Sequence, residues 1–397
     1  MNDEAAHLVD KVLPQIVYRQ WVISFPYKLR YMMAYNPKLT NKILSIFISV
    51  ISSHLKKKAR RCGIKNSRPG VVTFIQRFGS ALNLNVHFHS LFADGVFYKD
   101  GDEYGFYRLP EPTQEELYAL AEKIKNKVLS LVEKLGLNDS DQSEFDQNAL
   151  GEISKISIQH KSAFGERAGN SLRQYGIKKI EVDPESNDPF SANVEGFSLN
   201  ARVRIAGNDK KKLEHLIRYM ARGPIASERL MEGFPNSLMY KLKTPWRDGT
   251  REIEFSHLDF IARLVAVIPP PRFNMTRYHG VFAPNFKDRK KIVPRSAVKI
   301  LAVDLAPDES VNPSLAVNAK RERMRWAQML KRVFEIDVTI CPKCKGRLEQ
   351  LAVIKDRVAI RSLLENLNEV TVFDPLKMEF VRGPPVPNEY SQELTVD

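Results

Sequence analysis

Two neighbouring stretches of sequence decide the fold: residues 71–78 read VVTFIQRF, and residues 84–91 read LNVHFHSL. The first is rich in β-branched and aromatic residues, and the second alternates polar and apolar side chains with a period of two. The short turn between them predicts an antiparallel strand pair. Because alternate residues of a strand face the same way, we expect His87 and His89 side by side and Phe88 on the opposite face.

The His87–His89 pair is a candidate metal site, because two neutral imidazoles at this spacing can bind one divalent cation. Two half-exposed histidines without a metal would give the same pattern. Gln76 is a candidate third ligand, since one register of the hairpin places it opposite His87 on the same face. The turn does not fix that register, and a slip of one residue would make Gln76 an ordinary glutamine on the other face.

The 397-residue chain is basic, with a net charge of +14 and a pI near 9.5. This charge favours a polyanionic partner such as DNA, RNA or an anionic membrane. Most of the candidate DNA contacts lie in dense clusters that suit phosphate groups. The candidates are Lys56, Lys57, Lys58, Arg60, Arg61, Arg77, Lys210, Lys211, Lys212, Arg218 and Arg247.

The sequence argues against export and membrane insertion. No apolar run approaches the ~20 residues that span a bilayer, and the acidic N-terminus lacks the apolar core of a signal peptide. The three cysteines form no disulfide framework, which fits a reducing, cytoplasmic location. Cys341 and Cys344 have the spacing of half a Zn²⁺ site. A metal-free knuckle and zinc shared with other ligands both remain open.

A second candidate site lies on a helix that we expect to begin after its cap, Asp209, and to end at residues 223–224. Beside its apolar stripe, His215, Tyr219 and Arg222 recur on a neighbouring face. A tyrosine hydroxyl among a histidine and arginines is placed to meet a phosphodiester. An interfacial tyrosine without any chemistry would show the same spacing.

The remaining patterns predict an α+β fold, with a mainly antiparallel central sheet, flanking helices and a small C-terminal module. One helix should run from Thr40, its N-cap, to about Arg61, and another from a capping box at Thr113 to about Leu135. We divide the chain into an N-terminal strand and basic helix (1–64), a core (65–290) with a helical insertion at about 112–175, a helical and CxxC module (291–382) and a loose tail (383–397).

Taken together, these motifs resemble the HUH superfamily of single-strand nucleases, named for His-hydrophobic-His. Within it, the chain is most similar to rolling-circle transposases of the insertion-sequence ninety-one family. The resemblance covers almost the whole chain and rests on RQWV at 19–22, FPY at 25–27, QRFG at 76–79, LNLN at 82–85, HFH at 87–89, RYMAR at 218–222, PWRDGT at 245–250, RYHG at 277–280 and CPKC at 341–344.

The resemblance implies an HUH nuclease-like core in which His87, His89 and a third polar ligand hold Mg²⁺ or Mn²⁺. Tyr219, with Arg222 beside it, would attack DNA and leave a 5′-phosphotyrosine and a free 3′-hydroxyl, which later reverses the step at a new site. The implied partners are single-stranded DNA at element ends and target DNA, in DNA transposition at the nucleoid. Tyr278 is a competing nucleophile, because it also sits beside an arginine and a histidine.

The chain departs from the family pattern at His215 and at its N-terminus. Many relatives carry two tyrosines four residues apart, but His215 occupies the first position here, which indicates the single-tyrosine branch and makes His215 an alternative metal ligand. Full-length relatives begin with a cysteine-rich zinc-binding region before the segment matched by residues 5–10. We therefore weigh a truncated, catalytically inactive DNA-binding remnant as the alternative function. A relaxase or replication initiator and an RNA-binding protein are further alternatives.

Overall fold

The computed structural model describes residues 2–137, 149–176, 188–246, 248–293, 299–301, 326–341, 345–348 and 362. The chain divides into two compact units, one within residues 3–316 and one within 317–395. The helices of the described residues are α1 (Asn2–Lys11), α2 (Tyr27–Tyr35), α3 (Pro37–Arg61), α4 (Gln114–Lys134), α5 (Ala149–Ile158), α6 (Lys210–Met220), α7 (His257–Val267), α8 (Arg289–Ile292) and α9 (Trp326–Phe334).

The strands are β1 (Tyr18–Ser24), β2 (Gly70–Phe78), β3 (Leu84–Ala93), β4 (Gly95–Asp100), β5 (Glu103–Arg108), β6 (Arg173–Gly176), β7 (Ser191–Val194), β8 (Phe197–Asn200), β9 (Arg204–Ile205), β10 (Leu230–Glu232), β11 (Ser237–Lys241), β12 (Thr250–Ser256), β13 (Thr276–Gly280) and β14 (Lys299–Leu301). The central sheet has the antiparallel order β13-β2-β3-β1-β8-β7, and β9 also pairs with β1. The expected α+β class with a mainly antiparallel central sheet is confirmed.

Two smaller sheets complete the larger unit. The strands β10, β11, β12 and β6 form an antiparallel sheet with its own small core around Tyr240, Ile253 and Phe255. The strands β14, β5 and β4 form the other, in which β14 runs parallel to β5. In the C-terminal unit, α9 is followed by an isolated bridge between Ile340 and Arg347. No helix among the described residues is long and apolar enough to cross a membrane.

The two faces of the central sheet carry different side chains. Directly paired residues of antiparallel strands share a face, and Gln76 pairs with His87 while Val22 pairs with His89. The opposite face carries Phe88, which packs against Phe47 of α3 with ring centroids 6.4 Å apart. That face and the helices α2, α3 and α4 build the main hydrophobic core. The histidine face carries Gln76 beside the pair, and it also buries apolar residues such as Val22 and Phe74.

Helix caps agree with the sequence analysis at two of three positions. Asp209 accepts from the backbone N–H of Lys212 at the start of α6, and Thr113 forms the expected capping box with Glu116. The prediction of Thr40 as a cap is wrong. Helix α3 begins at Pro37, with Asn36 as its N-cap, because proline suits the first helical turn and the Asn36 side chain accepts the N–H of Leu39. The hydroxyl of Thr40 instead donates to the carbonyl of Met33 in α2 and to that of Asn36.

Arg77 is buried in the structure. The prediction that this residue contacts DNA is therefore wrong. Its side chain lies on the face opposite Gln76, only 6% exposed. The guanidinium donates to the carbonyls of Ala34 at 2.7 Å, Val267 at 3.2 Å and Ala266 at 3.3 Å. It therefore joins β2 to the C-terminal ends of α2 and α7, where helix carbonyls lack partners within the helix.

We predict that Arg77→Ala lowers the free energy of unfolding by about 2–4 kcal/mol, because three carbonyl acceptors lose a charged donor. Urea unfolding followed by circular dichroism measures the change. The matched control is Arg60→Ala, which removes an exposed arginine from α3 and should change stability by less than about 0.5 kcal/mol. Equal effects of the two substitutions would contradict the structural role of Arg77.

Candidate active site

The two histidines of β3 converge through their Nε2 atoms. These atoms lie 3.0 Å apart, and the two ring centroids are 4.8 Å apart at an interplanar angle of 67°. His89 is only 3% exposed, whereas His87 is partly exposed. The pair therefore presents two nitrogen atoms at one point, with access from one side.

The outer nitrogen of each imidazole is also engaged. His87 Nδ1 lies 2.9 Å from the carbonyl oxygen of Asn85, and His89 Nδ1 lies 2.7 Å from the amide nitrogen of Gln20. Gln20 is on the central strand β1 and is 2% exposed. These partners fix both ring orientations from behind. The Asn85 carbonyl is the kind of acceptor that metal-binding histidines have on their outer nitrogen, whereas the Gln20 amide nitrogen is a donor.

Gln76 connects the histidine face to the tyrosine helix. The register that places it opposite His87 is confirmed. Its amide nitrogen donates to the carbonyls of Met220 at 2.8 Å and Tyr219 at 3.3 Å, in the last turn of α6. Since the nitrogen is committed to the helix, Oε1 is the atom of this side chain that can donate a lone pair to a cation.

Tyr219 lies beside the histidine pair. Its ring meets the ring of His89 edge-on, with centroids 5.9 Å apart and an interplanar angle of 86°. Helix α6 holds this position because its apolar stripe is buried. The stripe consists of Leu213, Leu216, Ile217 and Met220. The tyrosine itself remains partly exposed on the neighbouring face, as its spacing predicts.

Positive charge surrounds the tyrosine. Arg222 Cζ lies 4.8 Å and Lys243 Nζ 5.0 Å from the centroid of the Tyr219 ring, and Arg229 Cζ lies 4.9 Å from the centroid of Tyr240. Arg222 Nε and Arg229 Nη1 are buried and have no hydrogen-bond partner among the described residues. Burial lowers the pKa of Lys243, and the charges of Arg222 and Arg229 lower it further. The positive side chains of the site therefore repel one another, and a bound anion would offset that repulsion.

The imidazoles are held neutral. Burial is the main cause that lowers the pKa of His87 to about 4, and the nearby charges of Arg30 and Arg222 act in the same direction. Burial, followed by the charges of His87 and Arg222, keeps the pKa of His89 well below its ordinary value. A neutral imidazole keeps the lone pair that a metal ion needs.

The geometry of the pair suits a divalent cation with octahedral coordination. Two ligand bonds of about 2.1 Å at a right angle place their donor atoms about 3.0 Å apart, which matches the distance between the two Nε2 atoms. Within the part of the chain that the structure describes, no three His, Cys, Asp or Glu residues form a metal-binding group. His215 forms no such group with the pair, and Gln76 is a neighbouring side chain with a suitable oxygen.

The other predicted DNA contacts are spread over the protein. The basic residues 56–61 belong to α3, which packs on the face of the sheet opposite the histidines. Lys58 in this cluster is engaged with Glu116 at 2.9 Å. Lys210, Lys211 and Lys212 are exposed in the first turn of α6, and Arg218 is partly exposed in the last turn of that helix. Arg247 and Cys344 lie outside the described residues.

Sequence reasoning missed three neighbours of the site, namely Gln20, Arg229 and Lys243. Gln20 had a readable signal, because a glutamine among the apolar residues of a central strand needs a polar partner. Arg229 and Lys243 had no signal of this kind. They come from a short 3-10 helix and from the loop after β11, whose approach to α6 depends on tertiary packing.

We predict that His87 stays neutral well below the usual histidine range, with a midpoint near pH 4 rather than ~6.5. Because the folded state resists protonation while the unfolded state does not, this residue makes the protein less stable as the pH falls from 6.5 towards 4, and has no effect above that window. NMR titration of histidine-labelled, metal-free protein tests this, with His87→Gln used to assign the signal. A midpoint near 6.5 would contradict the buried, neutral pair.

Comparison with known proteins assigns the chain to a family. A family model described as "Putative transposase" (Y2_Tnp) matches residues 70–290, which is more than half of the chain and includes β2, β3 and α6. No curated protein and no solved structure matches the chain. The matched segment contains the histidine pair, Gln76, Tyr219 and all three surrounding cations. The chain belongs to this transposase family.

Proposed function

We propose that this transposase nicks and rejoins single-stranded DNA through a covalent 5′-phosphotyrosine on Tyr219, in the rolling-circle manner of the single-tyrosine branch. The observation that carries the proposal is the packing of Tyr219 against His89, whose Nε2 lies 3.0 Å from that of His87. A candidate nucleophile and a candidate metal-binding pair are thus direct neighbours. A domain that only bound DNA would need neither.

The proposed chemistry conserves one phosphodiester bond. The Tyr219 oxygen forms a bond to phosphorus as the bond from phosphorus to the 3′-oxygen breaks. The phenol proton passes to solvent, and the departing 3′-oxygen gains a proton. Attack by a 3′-hydroxyl on the phosphotyrosine reverses the step, so rejoining needs no nucleotide cofactor.

His87, His89 and Oε1 of Gln76 would hold Mg²⁺ or Mn²⁺. Such an ion, when bound, draws electron density from phosphate oxygens and makes phosphorus more electrophilic. The chain supplies the neutral imidazoles and, through Gln76, a direct connection between the ligands and the backbone of Tyr219. Placement of the nucleophile and placement of the ligands are therefore coupled.

Arg222 and Lys243 would position the phosphate. Both cations lie within 5.0 Å of the centroid of the Tyr219 ring. Preorganised positive charge at this point stabilises the charge that develops on the phosphoryl group. His215, one turn earlier on α6, is half-buried near Arg218 and Lys243. We assign it to positioning of the DNA strand rather than to the metal.

We predict that Tyr219→Phe abolishes the covalent protein–DNA adduct and leaves binding of single-stranded DNA nearly unchanged, because only one hydroxyl is removed. A 3′-labelled oligonucleotide from an element end, incubated with Mn²⁺ and analysed by denaturing electrophoresis, detects the adduct. Tyr278→Phe is the matched control. Tyr278 pairs with Val72 on β2, four residues from Gln76, or roughly 13 Å along the strand.

An adduct that persists in Tyr219→Phe and disappears in Tyr278→Phe would move the nucleophile to Tyr278. Absence of an adduct in the unaltered protein, together with firm DNA binding, would favour a DNA-binding protein without strand-transfer activity.

We predict that EDTA and His87→Ala each abolish cleavage, and that Gln76→Ala weakens Mn²⁺ binding by at least about tenfold. Gln76→His should largely retain the ion, because imidazole is also a competent ligand. Titration of Mn²⁺ followed by electron paramagnetic resonance measures affinity independently of activity. His215→Ala is the control and should bind Mn²⁺ normally. Cleavage in EDTA would refute the metal proposal, and loss of Mn²⁺ only in His215→Ala would refute the ligand set.

We predict that Lys243→Gln weakens binding of single-stranded DNA and reduces the slope of log affinity against log salt by about 0.7, as expected for one lost phosphate contact. Fluorescence anisotropy over a range of salt concentrations gives both quantities. Lys57→Gln is the matched control, because it removes an exposed lysine from α3, on the other side of the sheet. A larger effect of Lys57→Gln would place the DNA along α3 instead.

A further inference from the structure

The side chain of Gln20 contacts the histidine pair, and the proposed chemistry gives it no role. It lies on β1 beside β3, on the same face as His89, and its amide nitrogen is 2.7 Å from His89 Nδ1. The side chain is 2% exposed. A buried amide is costly unless its hydrogen bonds are made, so this position calls for a reason.

The hydrogen-bond roles along this chain of groups follow from elementary chemistry. An amide nitrogen can only donate, so His89 Nδ1 must accept, and the proton of neutral His89 is on Nε2. That N–H points at His87 Nε2, 3.0 Å away, which therefore accepts. The proton of His87 is then on Nδ1, where it donates to the carbonyl of Asn85 at 2.9 Å. Each hydrogen bond in the series from Gln20 through His89 and His87 to Asn85 therefore has one donor and one acceptor.

This arrangement makes the two histidines unequal. His87 presents a lone pair at Nε2, as a ligand must, whereas His89 presents a proton. To bind a cation, His89 must carry its proton on Nδ1, which then needs an acceptor. A half-turn of the Gln20 amide about its last side-chain bond supplies Oε1 as that acceptor without moving the rest of the side chain, since this torsion is broadly two-fold.

We propose that Gln20 is a positioning residue whose amide orientation selects the tautomer of His89. With the amide nitrogen towards His89, the pair closes on itself through a hydrogen bond. With the amide oxygen towards His89, both Nε2 lone pairs are open to a divalent cation. This inference rests on the proposed metal site. It adds that the two histidines hydrogen-bond to each other when no cation is bound.

A carboxylate at this position tests the inference, because it can accept from Nδ1–H but cannot donate. Gln20→Glu should fix His89 in the metal-binding tautomer and tighten Mn²⁺ binding by about tenfold, the scale of outer partners of histidine ligands. Gln20→Leu, of similar size and without polar atoms, is the control and should bind Mn²⁺ more weakly than Gln20→Glu. A residue that only filled space would show no gain with glutamate. Mn²⁺ affinity is measured by electron paramagnetic resonance on each purified, folded variant.

A second measurement needs no variant. In metal-free protein labelled with ¹⁵N-histidine, His89 should carry its proton on Nε2, and saturating Mg²⁺ should move it to Nδ1. A metal-free His89 protonated on Nδ1 would overturn the proposal, as would Gln20→Glu that binds Mn²⁺ no better than the unaltered protein. If the unaltered protein binds no Mn²⁺ or Mg²⁺, the metal site of the proposed function fails, and this inference fails with it.

Discussion

The alternation of side chains along β3 is the constraint on which the rest of the structure depends. Because neighbouring residues of a strand face opposite ways, Phe88 can enter the main core only if His87 and His89 leave it. Paired strands repeat this division: β1 places Gln20 and β2 places Gln76 on the histidine face, while Trp21 and Ile75 belong to the main hydrophobic core with α3 and α4. A rigid, well-packed sheet therefore fixes the positions of four polar side chains at once.

The electrostatics of the site follow from what covers that face. Helix α6, the residues just after it and the loop after β11 bring Tyr219, Arg222 and Lys243 near a pair of neutral imidazoles. Positive charge near His87 opposes a lone cation, and it also leaves an anion site beside the tyrosine. In the proposed function, a DNA phosphate neutralises the positive side chains beside Tyr219. It also supplies oxygen ligands to the metal ion, which offsets the repulsion between that ion and the side chains. Metal and DNA would then bind cooperatively, each strengthening the other through linkage.

The parts that the sequence predicts correctly are those with a local cause. The hairpin, the caps at Asp209 and Thr113 and the shared face of the two histidines follow from period and residue type alone. The turn does not fix the register that sets Gln76 opposite His87, and β2 carries an irregularity just after it, between Gln76 and Phe78. Arg77 lies at that irregularity. The carbonyls that accept from Arg77 are on α2 and α7, distant in sequence. The sequence therefore showed only a positive charge, which suggested a contact with DNA. Lys243 and Arg229 could not be found for the same reason.

The central claim is that Tyr219 is the residue that becomes joined to DNA, and peptide mapping tests it most directly. Trypsin cuts after Arg218 and Arg222, so it releases the segment 219–222, YMAR, whose single tyrosine is Tyr219, whereas Tyr278 falls in the separate segment 278–287, YHGVFAPNFK. The adduct formed with Mn²⁺ and single-stranded DNA is digested with nuclease and trypsin and then analysed by mass spectrometry. The account predicts a nucleotide on YMAR. A nucleotide on the segment 278–287, or on any peptide other than YMAR, would contradict it.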